Sequence, residues 1–205
     1  MCAPELMRRC AFLQRRALHR ARAKLLMCIA ATSIGVVPAA TLDGSGIGDP
    51  VSASDEEVAD AQLLVSYRLI VPVVGITKRN LVDTYDERRG GHAHEALDIP
   101  APRGTQVVAA GDGRVVKLFR SLAGGLTVYQ FDPSERFAYY YAHLDGYAEG
   151  LSEGMTLKQG DAIGIVGTTG NAPRDSPHLH FAVFKLGPEK RWWKGSPRSP
   201  FPLLN

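Results

Sequence analysis

The stretch SPHLHFAVF, residues 176–184, decides the fold because it sets two histidines inside a strand-like run. His178 and His180 are separated by one leucine, and uncharged apolar residues follow them. Residues i and i+2 share one face of a β-strand, whereas on a helix they point about 200° apart. The aromatic and β-branched residues that follow favour a strand. We therefore predict that both rings project from one side of a sheet. There they either only form hydrogen bonds or, with further ligands nearby, hold a metal.

Two other stretches contain groups of the same chemistry. GGHAHEALDIPAPRGT, residues 90–105, places His94 and Asp98 four residues apart, which is one shared face on either a helix or a strand. Its flanking glycines and prolines argue against a long helix. YYYAHLDGY, residues 139–147, places His143 at the end of an aromatic run. Two neutral imidazoles and a carboxylate suit zinc, and three protein ligands leave a fourth position for water, which is typical of a catalytic site.

In this order the motifs resemble those of the lysostaphin/LytM-type zinc metallopeptidases, the glycyl-glycine endopeptidase family of peptidoglycan hydrolases. The resemblance covers about Leu69 to Leu186. It includes DIPAPRGTQVVAAGDGRVV (98–116), similar to the family's ligand strand and hairpin. It also includes the glycine-rich EGMTLKQGDAIGIVGTTGNA (153–172) before the HxH strand. Each motif is weak alone, but the three together are specific.

The resemblance implies a role for each motif residue. His94, Asp98 and His180 would be the ligands of one zinc ion. His143 and His178 would be unligated catalytic residues that handle protons and the oxyanion, and the motifs do not say which of them is the base.

The chain departs from the family pattern at three positions. Ala96 stands where the family often has glycine, His92 where it often has arginine, and Ala182 where it often has glutamate. None of these changes removes a ligand or a catalytic histidine. The change at His92 would alter the contacts that surround the metal ligands.

The fold and activity expected from this resemblance are those of a wall hydrolase. The fold is all-β, an antiparallel sandwich or barrel-like LytM domain (duplicated hybrid motif) with a short N-terminal helix and a leader. The activity is zinc-dependent hydrolysis of peptide cross-links in peptidoglycan. Two alternatives remain at this stage: a non-catalytic LytM-like activator or wall-binding module, and a non-haem iron oxygenase, which uses two histidines and a carboxylate as well.

The charge distribution separates the start of the chain from the rest. The first 24 of the 205 residues hold seven of the 24 basic residues and one of the 21 acidic residues. The remainder therefore carries 17 basic and 20 acidic residues. This slightly acidic body gives no basic surface for nucleic acid.

An apolar run, Leu25 to Leu42, follows the basic start. A charged segment, an apolar segment and then small residues form the pattern of a secretory signal, although the run also approaches the length of a membrane span. Residues 1–42 are therefore predicted to be a signal peptide or an inner-membrane anchor. Either places the protein outside the cytoplasm, periplasmic or anchored and facing the periplasm.

The remaining chain divides into a linker with a short helix, residues 43–65, and a metallopeptidase domain, residues 66–205. Val58, Ala61 and Leu64 are expected to form the packed face of the helix. Short runs rich in Val, Ile, Tyr and Phe predict strands; they are TQVVAA, RVVKLF, LTVYQFD, RFAYYYAHL, AIGIVG and LHFAVF. Alternation predicts that Tyr139, Tyr141 and His143 share a face. Trp192 and Trp193 could stack on sugar or cap the domain, and their position near the end favours capping.

Overall fold

The computed structural model describes residues 53–205, a helix followed by a mainly antiparallel β-structure. The helix is α1 (Ala53–Ser66), and short 3-10 helices lie at Lys78–Asn80 and Phe201–Leu203. The strands are β1 (Arg88–Arg89), β2 (His92–Ala93), β3 (Leu97–Pro100), β4 (Gln106–Val108), β5 (Gly113–Ser121), β6 (Gly125–Phe131), β7 (Phe137–Tyr147), β8 (Thr156–Leu157), β9 (Ala162–Val166), β10 (His178–Leu186) and β11 (Gly195–Arg198). The predicted leader lies outside the described residues. No helix within 53–205 is long and apolar enough to cross a membrane.

One sheet contains the nine strands β3 to β11. Its main order is β11-β10-β7-β6-β5-β8, while β3 pairs with β10, and β9 connects β4 to β7. Strand β7 is the centre, because its first part pairs with β6 and β10 and its last residues pair with β9. The sheet curls into a half-barrel, so the predicted antiparallel, barrel-like fold is confirmed. β1 and β2 form a separate hairpin.

Alternation along the strands sends apolar side chains to the concave interior. On β10, Leu179, Phe181 and Val183 are fully buried, whereas the intervening residues lie on the opposite face. The core also takes Tyr139 and Tyr141 from β7. The hydroxyl of Tyr141 donates to Gln130 and accepts from the backbone N–H of Ala110, so this phenol is satisfied within the core.

Helix α1 packs through a different face from the predicted one. Leu64 is buried, but Val58 is 56% exposed and Ala61 is also exposed. Asp60 takes the buried position one turn before Leu64, where its carboxylate forms ion pairs with Arg136 and Lys185. A buried carboxylate requires such partners. Arg136, just before β7, and Lys185 on β10 therefore favour the burial of the side of the helix that carries Asp60.

We expect Leu179→Ala to lower the free energy of unfolding by roughly 2–5 kcal/mol, the usual range when a fully buried leucine leaves a cavity. The matched control is Leu122→Ala, at a leucine that is 95% exposed, where the change should stay within about 0.5 kcal/mol. Urea denaturation of both variants measures the two effects. Equal, small losses would mean that Leu179 does not contribute to the core.

Candidate metal centre and catalytic groove

Strand β10 presents both of its histidines on the non-core face, as the sequence predicted. Antiparallel register places His180 directly opposite Asp98 of β3 on one side and Ala142 of β7 on the other. Directly paired residues in such a ladder have neighbouring side chains on the same face. The pairing of β3 with β10 therefore brings the carboxylate and the imidazole together.

His94, Asp98 and His180 form a tight cluster. Asp98 Oδ1 lies 3.1 Å from His180 Nδ1 and 3.2 Å from His94 Nε2, and those two nitrogens are 3.1 Å apart. Zinc–nitrogen bonds of about 2.0–2.1 Å in tetrahedral geometry separate neighbouring ligands by about 3.3 Å. These three atoms can therefore occupy three corners of a zinc tetrahedron, so the donor set fits the ion in both chemistry and spacing.

A backbone contact fixes the orientation of the His94 ring. His94 Nδ1 lies 3.0 Å from the carbonyl oxygen of Thr84. A carbonyl only accepts, so Nδ1 carries the proton and the neutral ring presents the lone pair of Nε2 to the cluster. Burial lowers the pKa of His94, which favours this neutral form.

Asp98 is held as a carboxylate. Burial alone would raise its pKa, but hydrogen bonds with His180 and Arg89 outweigh that effect and keep the pKa well below its usual range. An ionised oxygen and two neutral imidazoles are the protonation states that metal coordination requires.

Arg89 also reaches the cluster, although no motif in the sequence predicted it. Its Nη1 lies 3.1 Å from His94 Nε2 and 2.6 Å from Asp98 Oδ2, and its Nη2 pairs with Glu87. In the β1–β2 hairpin Arg89 is directly opposite His92, the position at which the family resemblance implies an arginine. The neighbouring strand thus supplies a guanidinium where His92 supplies none.

His143 joins the site through an irregular backbone. Its φ is +62°, in the left-handed region, and its N–H bonds to the carbonyl of Gly124. This breaks the alternation of β7, so the prediction that Tyr139, Tyr141 and His143 share a face is wrong. The tyrosines enter the core, while the His143 ring lies 5.6 Å from that of His180, centre to centre. Left-handed residues of this kind turn a side chain away from the regular strand pattern.

The turn after β9 fixes the tautomer of His143. The ring Nδ1 lies 2.9 Å from the carbonyl oxygen of Thr169, so Nε2 is the unprotonated nitrogen of the neutral form. Thr169 in turn accepts from the N–H of Leu126 and donates to the carbonyl of Leu144. Gly125, at φ +65°, permits this approach, because a Cβ there would lie 2.0 Å from Thr169 Oγ1. Burial lowers the pKa of His143 to about 4.

His178 lies beside the cluster without belonging to it. Its Nδ1 is 2.8 Å from the carbonyl oxygen of Ser176, and its Nε2 is 3.8 Å from Asp98 Oδ1. Its ring centre is 5.0 Å from that of His143. Two imidazoles, each with Nδ1 bound to a backbone carbonyl, therefore flank the three-residue cluster.

Two cavities meet at the cluster and share His94, Tyr140 and His180. The first, about 360 Å³, is also lined by Arg89, His92 and His143. The second, about 300 Å³, is also lined by Glu95 and Trp193. A larger cavity of about 640 Å³ lies between α1 and the β10–β11 connection and contains none of the clustered groups. We take the two smaller cavities as the candidate groove because the chemistry lies there.

Comparison with known proteins now identifies the family. Residues 92–195 match peptidase family M23 over half of the chain, so the protein belongs to this family, and the resemblance seen in the sequence is confirmed. Members of the family are zinc metallopeptidases.

Individual relatives differ in the activity that their names state. The L-Ala–D-Glu endopeptidase of Bacillus subtilis is 32% identical over 108 residues, which is 50% of this chain and 33% of that protein. The peptidoglycan DD-endopeptidase ShyC of Vibrio cholerae is 37% identical over 98 residues, 48% of this chain and 22% of that protein. The murein hydrolase activator NlpD of Escherichia coli is 28% identical over 107 residues, 52% of this chain and 26% of that protein.

Among solved structures, Csd3 of Helicobacter pylori is similar with a TM-score of 0.53 and 27% identity, covering 68% of this chain and 33% of that one. The chain thus spans a third or less of each of these four proteins.

We expect Arg89→Ala to tighten zinc binding by about tenfold, which corresponds to about 1.4 kcal/mol. The guanidinium donates to the Nε2 lone pair of His94, which zinc would need, and it places a positive charge beside the cluster. Both effects oppose the binding of the zinc cation. Competition with a fluorescent chelator measures the affinity, and Arg88→Ala, at an exposed residue of the same hairpin, is the control. Weaker zinc binding in Arg89→Ala would instead show that Arg89 supports Asp98 as a ligand.

Proposed function

We propose that this protein is a zinc-dependent endopeptidase that hydrolyses peptide cross-links of peptidoglycan. His94, Asp98 and His180 hold one zinc ion, and His143 and His178 are the catalytic residues. The observation that carries the proposal is the convergence of all five side chains on one face of the sheet. Family membership supports the reaction class.

The chemistry that the metal supplies when bound is a lowered pKa of water, towards about 7, and polarisation of the scissile carbonyl. The protein's own groups provide the proton transfers. His143, with its pKa lowered to about 4, is neutral at pH 7 and can accept a proton at Nε2. The proton then passes to the leaving amine.

His178 is proposed to act nearest the attacking water, because its Nε2 lies 3.8 Å from the ligand oxygen of Asp98. Because Nδ1 donates to Ser176, Nε2 of the neutral ring accepts; once it has taken a proton there, the ring can donate from Nε2 to the tetrahedral oxyanion. The backbone carbonyls of Thr169 and Ser176 hold the two rings in place, so little reorganisation is needed during the reaction.

The proposed substrate lies outside the cytoplasmic membrane. The protein is therefore proposed to be exported, with residues 1–42 as a cleaved signal or as an inner-membrane anchor. N-terminal sequencing of the protein recovered from the envelope distinguishes a shortened chain from an intact one.

Digestion of purified peptidoglycan by the full-length protein tests the activity. Mass spectrometry of the products should show cross-linked dimers converted to monomers. Cleavage within a stem peptide would identify an L-Ala–D-Glu specificity instead. His180→Ala provides the inactive control. Undigested wall in the presence of stoichiometric zinc would contradict the proposal.

The second candidate is a non-catalytic activator, which the similarity to NlpD favours. An activator would leave pure peptidoglycan intact but would accelerate an added wall amidase. The His180→Ala variant would accelerate the amidase as well as the wild type does. The complete set of ligand and catalytic side chains favours the enzyme.

A further inference from the structure

A row of aromatic rings leads away from His180 across the outer face of the sheet. Neighbouring ring centres along it are 4.6 to 5.9 Å apart, beginning with the contact between His180 and Tyr140. We call this row the aromatic track; it consists of Tyr140, Tyr129, Trp192, Trp193 and Phe119. The track therefore connects the proposed metal centre to the surface without interruption.

The outer end of the track is exposed. Trp193 is 59% exposed and Phe119 is 40% exposed. The capping role that the sequence favoured fits Trp192, which packs on the small cluster of Phe131 and Leu186, but it does not fit Trp193. Phe119 and Trp193 flank Trp192, and Arg191 lies 6.0 Å from the centre of the Trp193 ring. A continuous, partly exposed aromatic surface of this kind is typical of a binding site.

The two halves of the groove are lined by different kinds of group. The described lining of the cavity that contains Trp193 includes one acid, Glu95, and no lysine or arginine. The cavity on the other side of Tyr140 is lined by Arg89 and His92, and Arg89 is paired with Glu87 and Asp98 just outside that lining. Because Arg89 is already paired with two carboxylates, its side of the groove offers a peptide hydrogen-bonding groups rather than a free positive charge. The flat rings of the track favour an uncharged group.

The wall polymer contains both kinds of group, peptides and uncharged amino sugars. A pyranose ring presents C–H bonds on its faces and hydroxyl groups at its rim. The faces pack on flat aromatic rings, and the hydroxyls can donate to a carboxylate such as Glu95. Resting on the proposed function, we propose that the aromatic track binds amino-sugar rings of the glycan strand next to the peptide that is cut.

Calorimetric titration with a β-1,4-linked N-acetylglucosamine tetramer tests binding directly and requires no hydrolysis. The full-length protein should bind the tetramer, and Trp193→Ala should weaken binding about three- to tenfold, in keeping with the loss of one aromatic contact. Trp193→Phe, which keeps a ring, should retain most of the affinity. Val74→Ala, at an exposed apolar residue outside the track, should bind like the wild type. No binding by the wild type, or equal binding by Trp193→Ala, would overturn the proposal.

Kinetics distinguish sugar from peptide recognition. Cross-linked fragments are compared with and without their sugars, which an amidase removes. Trp193→Ala should raise KM several-fold more for the glycan-bearing fragments than for the sugar-free ones. An equal rise for both substrates would show that the track binds peptide, which would overturn the proposal. If neither substrate is cut, the proposed function fails, while tetramer binding still decides whether the track is a sugar site.

Discussion

His180→Ala should strip zinc from the protein, whereas His178→Ala should keep zinc and stop wall hydrolysis. The two histidines lie on the same face of β10, but only His180 has its Nδ1 at 3.1 Å from both partners of the cluster. The Nε2 atom of His178 lies 3.8 Å from Asp98 Oδ1, and its Nδ1 donates a hydrogen bond to the carbonyl of Ser176. Removing His180 leaves two ligands, which hold zinc poorly.

Metal analysis and digestion of purified wall measure the two outcomes on the same preparations. His92→Ala is the matched control for zinc content, since its ring lines the groove outside the cluster. We expect Asp98→Ala and His94→Ala to lose zinc as His180→Ala does. Zinc loss from His178→Ala with zinc retained in His180→Ala would exchange the two roles. Equal zinc loss from both would indicate four protein ligands and contradict a catalytic site.

His143→Asn should lose at least about 10²-fold in hydrolysis rate while zinc remains bound, because a positioned proton-transfer group contributes about that much. Asparagine is chosen because the residue at this position has φ +62°. Asparagine tolerates the left-handed conformation, whereas alanine there adds backbone strain. The effect of the lost imidazole can then be measured apart from the effect of the backbone.

Rate, zinc content and melting temperature are compared for His143→Asn and His143→Ala. Both should lose the same activity, and His143→Ala should also melt at a lower temperature. If the rate of His143→Asn stays within about threefold of the wild-type rate, the loss is far below that expected for a catalytic proton-transfer group. His143 would then be a structural residue at a strand bend.

Alternation explains what the sequence could predict. Apolar and polar residues alternate with period two on β10, so the shared face of His178 and His180 and the core position of Leu179 followed directly. The six longer apolar runs were recovered as β4, β5, β6, β7, β9 and β10. Five other short strands did not stand out as apolar runs, because their pairing comes from neighbours rather than from composition; they are β1, β2, β3, β8 and β11.

The missed parts of the site depend on single backbone and side-chain geometries. No residue type marks the left-handed turn at His143, which places His143 on the groove side with Tyr140 rather than on the core side with Tyr141. Arg89 reaches Asp98 only because the short hairpin of β1 and β2 lies beside the cluster. Thr169 acts through its carbonyl group, which every residue type has. The family resemblance assigns roles to motif residues, but it does not show such contacts.

The register of β3 against β10 links zinc binding to the stability of the folded protein. A slip of one residue would replace Asp98 with Leu97 or Ile99 opposite His180 and would turn the carboxylate towards the core. His94 and His180 are 86 positions apart in the chain, so the unfolded chain offers no preformed donor set. An ion that binds only the correctly paired state enriches that state by mass action. Zinc supply should therefore set the lifetime of the protein as well as its activity, and a zinc-poor environment would remove the protein and its activity together.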